Sequence, residues 1–196
     1  MAQRPPSELV PGGAKGAGPQ IALAGRSNVG KSSLINALCR RSIARTSAAP
    51  GKTRLANLYR VTIVGGPGGP GRHTLHFVDL PGYGYARGGR AAAGELRAVA
   101  EAYLTSANGP DAVLLLVDAR HPGLESDQAA AGWLDQLRPA WHLVATKIDK
   151  LSRAERARSL RRCEDTFGTA ALPVSAASGE GLDDLWKLIA RPATRT

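Results

Sequence analysis

Short apolar runs alternate along the chain with longer stretches in which apolar residues recur every three or four positions. Ile21-Ala22-Leu23-Ala24 is the first such run and predicts a short buried strand. Ser33 to Leu38 then carries Leu34, Ile35 and Leu38 at helical spacing, so a helix is expected to begin there. Leu55–Val64 alternates in β fashion through Leu58, Val61 and Ile63, and Thr74 to Val78 reads as a return strand ending on Asp79. Between them, Gly65 to Gly71 is almost entirely Gly and Pro and reads as a long hairpin turn, which makes the pair antiparallel.

The second half continues the alternation. A helix is predicted over Ala91–Thr105, and Ala112–Val117 is a continuous apolar run of the kind found in a central strand covered on both faces. A helix near Ser126–Leu137, a strand over Trp141–Ala145, a short strand over Ala171–Val174 and a helix over Gly181–Ala190 follow. Ser152-Arg153-Ala154-Glu155 fits a capping box, so another helix opens there, with Ala154, Ala157, Leu160 and Phe167 as its expected apolar stripe. Alternating strands and helices predict an α/β fold: a mostly parallel six-stranded sheet, helices on both faces, and Leu55–Val64 as one antiparallel edge strand. Residues 1–19 carry Pro, Gly and Ala with little periodicity and read as a flexible lead-in; 20–196 read as one domain.

Onto this frame falls Gly25-Arg26-Ser27-Asn28-Val29-Gly30-Lys31-Ser32-Ser33, a match to G-x-x-x-x-G-K-[S/T] between a strand and a helix. Glycines let the backbone wrap phosphate oxygens, successive N–H groups form an anion nest, and the helix start adds its positive dipole end. In that role Lys31 reaches the β- and γ-phosphates, and the Ser32 hydroxyl binds Mg²⁺. An accidental Gly-rich turn is the alternative, and the strand and helix on either side weigh against it.

Asp79-Leu80-Pro81-Gly82 follows the return strand as D-x-x-G. After a phosphate loop this places the Asp79 carboxylate near Mg²⁺ and the Gly82 N–H at the γ-phosphate. Thr146-Lys147-Ile148-Asp149 follows another strand. A carboxylate at Asp149 can accept two hydrogen bonds from the guanine edge, donors that adenine does not offer, and the lysine stem can lie along the base. Ser175-Ala176-Ala177, after the last strand, is placed to offer a backbone N–H to guanine O6. These elements, in this order, select GTP or GDP. For a second metal hydroxyl the polar loop offers Thr46, Ser47 and Thr53; Thr53, within Pro50-Gly51-Lys52-Thr53, is the choice.

Bulk composition adds a partner and a compartment. The net charge is +10 and the pI about 10.3, more cationic than a nucleotide ligand alone accounts for, which points to a polyanion such as RNA. A merely solvated Arg-rich surface is the alternative. Cys39 and Cys163 form neither a metal motif nor a disulfide framework, consistent with a reducing cytosol. Met1-Ala2-Gln3-Arg4-Pro5-Pro6 lacks the apolar core of a signal peptide, and no apolar run approaches a membrane span. The reading is a soluble, cytoplasmic protein without a membrane partner. A P-loop kinase is the competing class; it would need an acceptor pocket, for which no segment is spare, and would not use a guanine-reading Thr-Lys-x-Asp.

The stretch Gly25 to Asn36, together with Pro50-Gly51-Lys52-Thr53, Asp79-Leu80-Pro81-Gly82-Tyr83-Gly84-Tyr85-Ala86, Val117-Asp118-Ala119-Arg120-His121-Pro122 and Thr146-Lys147-Ile148-Asp149-Lys150, resembles the EngB (YihA/YsxC) family of bacterial ribosome-biogenesis GTPases. The resemblance runs from about Gln20 to Ala190. It implies a Ras-like, Mg-dependent GTPase domain that acts in assembly of the large ribosomal subunit and is needed for normal division and septation. Carried over by position, nucleotide contacts fall on Gly25–Ser33, on Gly51, Lys52, Thr53, Arg54 and Leu55, on Asp79, Leu80, Pro81 and Gly82, on Thr146, Lys147, Ile148 and Asp149, and on Ser175, Ala176 and Ala177. Mg²⁺ falls to Ser32, Thr53 and Asp79; Lys31, Thr53, Gly82 and Asn28 form the catalytic group. Three positions depart from the family's usual pattern: Arg54 stands where Gln is common, Gly65 to Gly71 is longer than a usual hairpin, and Ser175-Ala176-Ala177 lacks a second serine.

Two consequences concern mechanism. Tyr83 occupies the position after D-x-x-G where Ras-type enzymes carry a water-orienting glutamine, so intrinsic hydrolysis is expected to be slow. Asn28 is similar to the asparagine that coordinates K⁺ in related GTPases; a residue that only shapes the turn is the alternative. The segments Arg45–Arg54 and Leu80–Arg90 read as switches that order around the γ-phosphate, carrying Arg45, Lys52, Arg54, Arg87 and Arg90 toward ribosomal RNA or protein. Arg153, Arg156, Arg158, Arg161 and Arg162 form a second basic patch, and a monomer is expected when GTP is not bound.

Overall fold

The computed structural model of the chain describes residues 18–44, 57–64, 72–83 and 89–190. In chain order these form β1 (Gln20–Gly25), α1 (Lys31–Cys39), β2 (Asn57–Val64), β3 (Arg72–Asp79), α2 (Gly89–Leu104), β4 (Ala112–Asp118), α3 (Glu125–Leu137), β5 (Trp141–Thr146), α4 (Arg153–Phe167), β6 (Leu172–Pro173) and α5 (Leu182–Ala190). The expected hairpin turn at 65–71 and nearly all of the expected lead-in lie outside the described residues.

The strands form one sheet in the order β2-β3-β1-β4-β5-β6. All neighbours are parallel except β2 and β3, which pair antiparallel from Asn57 opposite Asp79 to Val64 opposite Arg72. The expected architecture is therefore borne out, including the antiparallel strand at the edge. Because β1, β3, β4 and β5 run in parallel, their last residues, Gly25, Asp79, Asp118 and Thr146, all reach the same edge of the sheet. That edge is where ligands bind in open α/β sheets, since loops from several strand ends converge there.

Strand alternation divides the core in two. Ile21, Leu23, Leu114 and Leu116 face α1 and α5 with Leu34, Ile35, Leu38, Leu185 and Ile189. Ala22, Ala24, Val113, Leu115 and Val117 face the opposite layer with Ala100, Tyr103, Leu134 and Cys163 from α2, α3 and α4. Helix α1 begins at Lys31, two residues before the expected start, so the phosphate-loop lysine itself occupies the first helical position.

Helix α4 has the expected capping box: the Ser152 side chain accepts from the Glu155 N–H, and the Glu155 carboxylate accepts from the Ser152 N–H at 2.8 Å. Its expected apolar stripe is borne out at Leu160 and Phe167, which pack against the core, and corrected at Ala154 and Ala157. Ala154 and Ala157 are exposed, Leu160 and Phe167 half-buried, and the buried positions are Ser159 and Cys163. A methyl group costs little to expose, whereas the Ser159 hydroxyl donates to the Ala119 carbonyl at 2.6 Å and fixes which face turns inward.

Candidate nucleotide site

The phosphate loop joins β1 to α1 through a turn that requires unusual backbone angles. Asn28 has φ 63° and Gly30 φ 115°. Asn is one of the few side chains that tolerate the left-handed region, so part of its reason for being at 28 is the turn itself. Lys31 is buried, and its ammonium donates to the carbonyls of Gly25 at 2.8 Å and Arg26 at 3.1 Å. Burial pulls its pKa below the usual lysine range, an effect that the charge of Asp79 partly offsets.

Asp79, at the end of β3, is also buried. Its Oδ2 accepts from the Ser32 hydroxyl at 3.1 Å, while its Oδ1 is enclosed with no protein partner. Burial pushes the carboxyl upward; the neighbouring Lys31 charge and the Ser32 bond pull it back. A hydroxyl and a carboxylate oxygen side by side, with a second oxygen unspent, fit a hard cation that prefers oxygen ligands. Among the described residues no group of three or more His, Cys, Asp or Glu could hold a metal, so further ligands would have to come from phosphate, water or a hydroxyl. Thr53, expected as that hydroxyl, lies outside the described residues with Gly51, Lys52, Arg54 and Leu55.

Leu80, Pro81 and Gly82 carry the chain from Asp79 back over the loop. The Leu80 N–H donates to the Leu23 carbonyl at 3.1 Å, and the Ser27 N–H donates to the Tyr83 carbonyl at 3.1 Å. Gly82 needs to be glycine: a Cβ there would stand 2.9 Å from the Ser27 nitrogen and 3.0 Å from the Lys31 ammonium. The Tyr83 side chain turns the other way. Its hydroxyl donates to Oδ1 of Asp127, a fully buried residue in the first turn of α3, at 3.0 Å.

The base-side elements sit on the same edge. The Thr146 hydroxyl lies 2.8 Å from the Val29 carbonyl and 3.1 Å from that of Val117, linking β5 to the phosphate loop. Lys147 has φ 60°, and its ammonium donates to the Asn28 carbonyl at 2.6 Å and to Asp118 at 3.0 Å. Ile148 is fully buried. Asp149 accepts from the Ser175 hydroxyl at 2.7 Å, and Lys150 lies 3.3 Å from its other oxygen. The Ser175 bond above all holds the Asp149 carboxyl below the usual carboxylate range. Ser175 also accepts from the N–H groups of Ala177 at 3.2 Å and Ser178 at 3.0 Å, which shapes the Ser175-Ala176-Ala177 turn. Between these loops and the phosphate loop lies a cavity of about 310 Å³, lined by Val29, Gly30, Ser33, Leu34, Thr146, Lys147, Asp149, Lys150, Val174, Ala176 and Ala177.

Two side chains belong to this arrangement that sequence reasoning left without a role. Asp118 closes β4 and pairs with Arg120 (2.7 Å and 2.9 Å) as well as with Lys147. Burial pushes it upward, but the bonds from Arg120 and Lys147 outweigh that and hold it at about 2. An acid ending a continuous apolar strand, as at Asp79, was the available signal. For Asp127 the signal was periodicity, since it shares the buried face of α3 with Ala131 and Leu134.

A phosphate loop facing an Asp-x-x-Gly segment at one end and a Thr-Lys-x-Asp loop at the other defines the class of P-loop GTPase domains. Residues 20–147 match the family described as 50S ribosome-binding GTPase. A protein of Anaeromyxobacter sp. (strain K) described as "Probable GTP-binding protein EngB" is 44% identical over 180 residues, 90% of this chain and 83% of that protein. Its counterpart in Chlorobaculum parvum is 42% identical over 170 residues, 85% of this chain and 83% of that protein. The chain belongs to the EngB family of GTP-binding proteins. The fold is shared with solved structures. Aquifex aeolicus Era bound to GDP.AlF4- superposes with a TM-score of 0.74 at 24% identity, over 88% of this chain and 56% of that one. A probable GTP-binding protein engB superposes at 0.66 with 22% identity, over 89% of this chain and 98% of that one.

Proposed function

We propose that this protein is a guanine-nucleotide switch that hydrolyses GTP slowly and assists assembly of the large ribosomal subunit, with a consequent need in cell division and septation. The observation that carries the reading is the cavity between the phosphate loop and Asp149, whose acceptor oxygens and backbone turn suit a guanine edge. Membership of a family described as 50S ribosome-binding GTPase, and the net charge of +10, support the ribosomal partner. So does Era, a structural relative solved in complex with MgGDPNP and nucleotides 1506–1542 of 16S ribosomal RNA (25% identity, TM-score 0.74).

In this reading Ser32 and Asp79 hold Mg²⁺, with Thr53 as the expected further ligand; the ion would neutralise charge on the β- and γ-phosphate oxygens. Lys31 exchanges its carbonyl partners for phosphate oxygens, and Gly82 offers its N–H to the γ-phosphate. Asn28 is the residue assigned to K⁺. Tyr83 has no amide to orient a water, and its hydroxyl is engaged at Asp127, which supports slow intrinsic turnover. Among the described residues no helix is long and apolar enough to cross a membrane.

The test is affinity for GDP, GTP and ATP with Mg²⁺, in wild type and Asp149→Asn. Guanine preference that shifts toward xanthine nucleotides in the variant supports the base assignment; equal binding of ATP overturns it. Co-sedimentation with large subunits that depends on a GTP analogue and falls steeply with salt supports the ribosomal role.

A further inference from the structure

Tyr83 is held at both ends. Its carbonyl accepts from the Ser27 N–H of the phosphate loop at 3.1 Å, and its hydroxyl donates to Asp127 of α3 at 3.0 Å. The side chain packs, half-buried, against the core shared by α2, α3 and α4. Asp127 is fully buried and its second oxygen has no partner; burial pushes its carboxyl upward, and the Tyr83 bond and the Arg26 charge only partly pull it back. A buried carboxyl group with a single hydrogen-bond partner is costly to strip of it, so the Tyr83 hydroxyl is held in place.

The consequence lies at Gly82, the residue before Tyr83. With Tyr83 tied down, Gly82 packs so close to the loop that an added Cβ would be 3.0 Å from the Lys31 ammonium. Two protons of that ammonium are already spent on Gly25 and Arg26. In the nucleotide reading both GDP and GTP engage the Lys31 ammonium, but only the γ-phosphate would reach Gly82. That phosphate would need the space between Lys31 and Gly82, which the close approach of Gly82 leaves open only once Pro81–Tyr83 lifts away.

We propose that Asp127 is a positioning residue that sets the choice between GDP and GTP: by anchoring the Tyr83 hydroxyl it holds Gly82 over Lys31 and disfavours the triphosphate. The inference rests on the GTPase reading above and adds a selectivity element to it. A ligand shifts an equilibrium only by its differential affinity for the two arrangements, so weakening the anchor raises affinity for the ligand that needs the lifted one.

The experiment measures affinities of the full chain for GDP and a non-hydrolysable GTP analogue with Mg²⁺, in wild type, Tyr83→Phe, Asp127→Asn and the double variant. Tyr83→Phe removes only the hydroxyl and keeps the packed ring, so it carries the test even if Asp127→Asn fails to fold. The expected result is GDP affinity within about twofold of wild type and analogue affinity raised roughly fivefold to tenfold, the size of one intramolecular hydrogen bond. The double variant should match the stronger single variant, because both act on one bond. Equal loss of both affinities in Tyr83→Phe would mean a purely structural anchor and overturn the proposal, as would an unchanged ratio. A wild-type chain that binds neither nucleotide overturns the GTPase reading itself, which is a distinguishable failure.

Discussion

Lys147 and Asn28 join the two ends of the site: the lysine ammonium donates to the Asn28 main-chain carbonyl at 2.6 Å, one residue from where the Thr146 hydroxyl meets the Val29 carbonyl at 2.8 Å. The same ammonium lies 3.0 Å from Asp118, whose carboxylate is gripped on its other side by Arg120. Under the function proposed above, base and phosphate recognition are thereby coupled at the sheet edge.

Asp118→Ala releases that lysine. Affinity for GDP and GTP should fall together, by roughly tenfold, because the loss is of preorganisation common to both ligands. Titration with a fluorescent guanine nucleotide and competition by each unlabelled one would check it; a fall confined to GTP would contradict this account.

Acid should expose the same pair. Asp118 titrates at about 2 in the folded chain, below its ordinary value of 3.8. A depressed carboxylate contributes stability that is complete above the unfolded value and lost as pH falls through the folded one. The contribution, on the order of 2 kcal/mol, should therefore disappear between about pH 4 and pH 2. Denaturant melts across that window should show a shallower decline in Asp118→Asn than in wild type.

Ser175→Ala removes the hydroxyl that bonds Asp149 and accepts from two turn N–H groups. Guanine-nucleotide affinity should drop about tenfold or more, with selectivity over adenine reduced, since Asp149 and the turn are both loosened. Isothermal titration with GDP and ADP reads both numbers.

The inward face of α4 can be tested by stability alone. Ser159→Ala should cost about 1–2 kcal/mol, from a buried carbonyl left without its donor. Ala157→Gln, on the exposed side, should stay within about 0.5 kcal/mol of wild type. Urea melts of the two variants would show whether the helix is oriented as described.

Much of the architecture was legible because its signals are local. An apolar run as continuous as Ala112–Val117 can only be covered on both faces, and Ser152 with Glu155 closes a capping box within four residues. The phosphate loop, Asp-x-x-Gly and Thr-Lys-x-Asp are contiguous segments whose chemistry depends on neighbours along the chain. What sequence order could not supply was which distant residues meet. The hydroxyl of Tyr83 finds Asp127, Lys147 finds Asp118, and Ser159 rather than Ala157 turns inward on α4. Each of these was decided by packing between elements far apart in the chain, where burial makes a satisfied hydrogen bond worth more than the intrinsic preference of any one side chain.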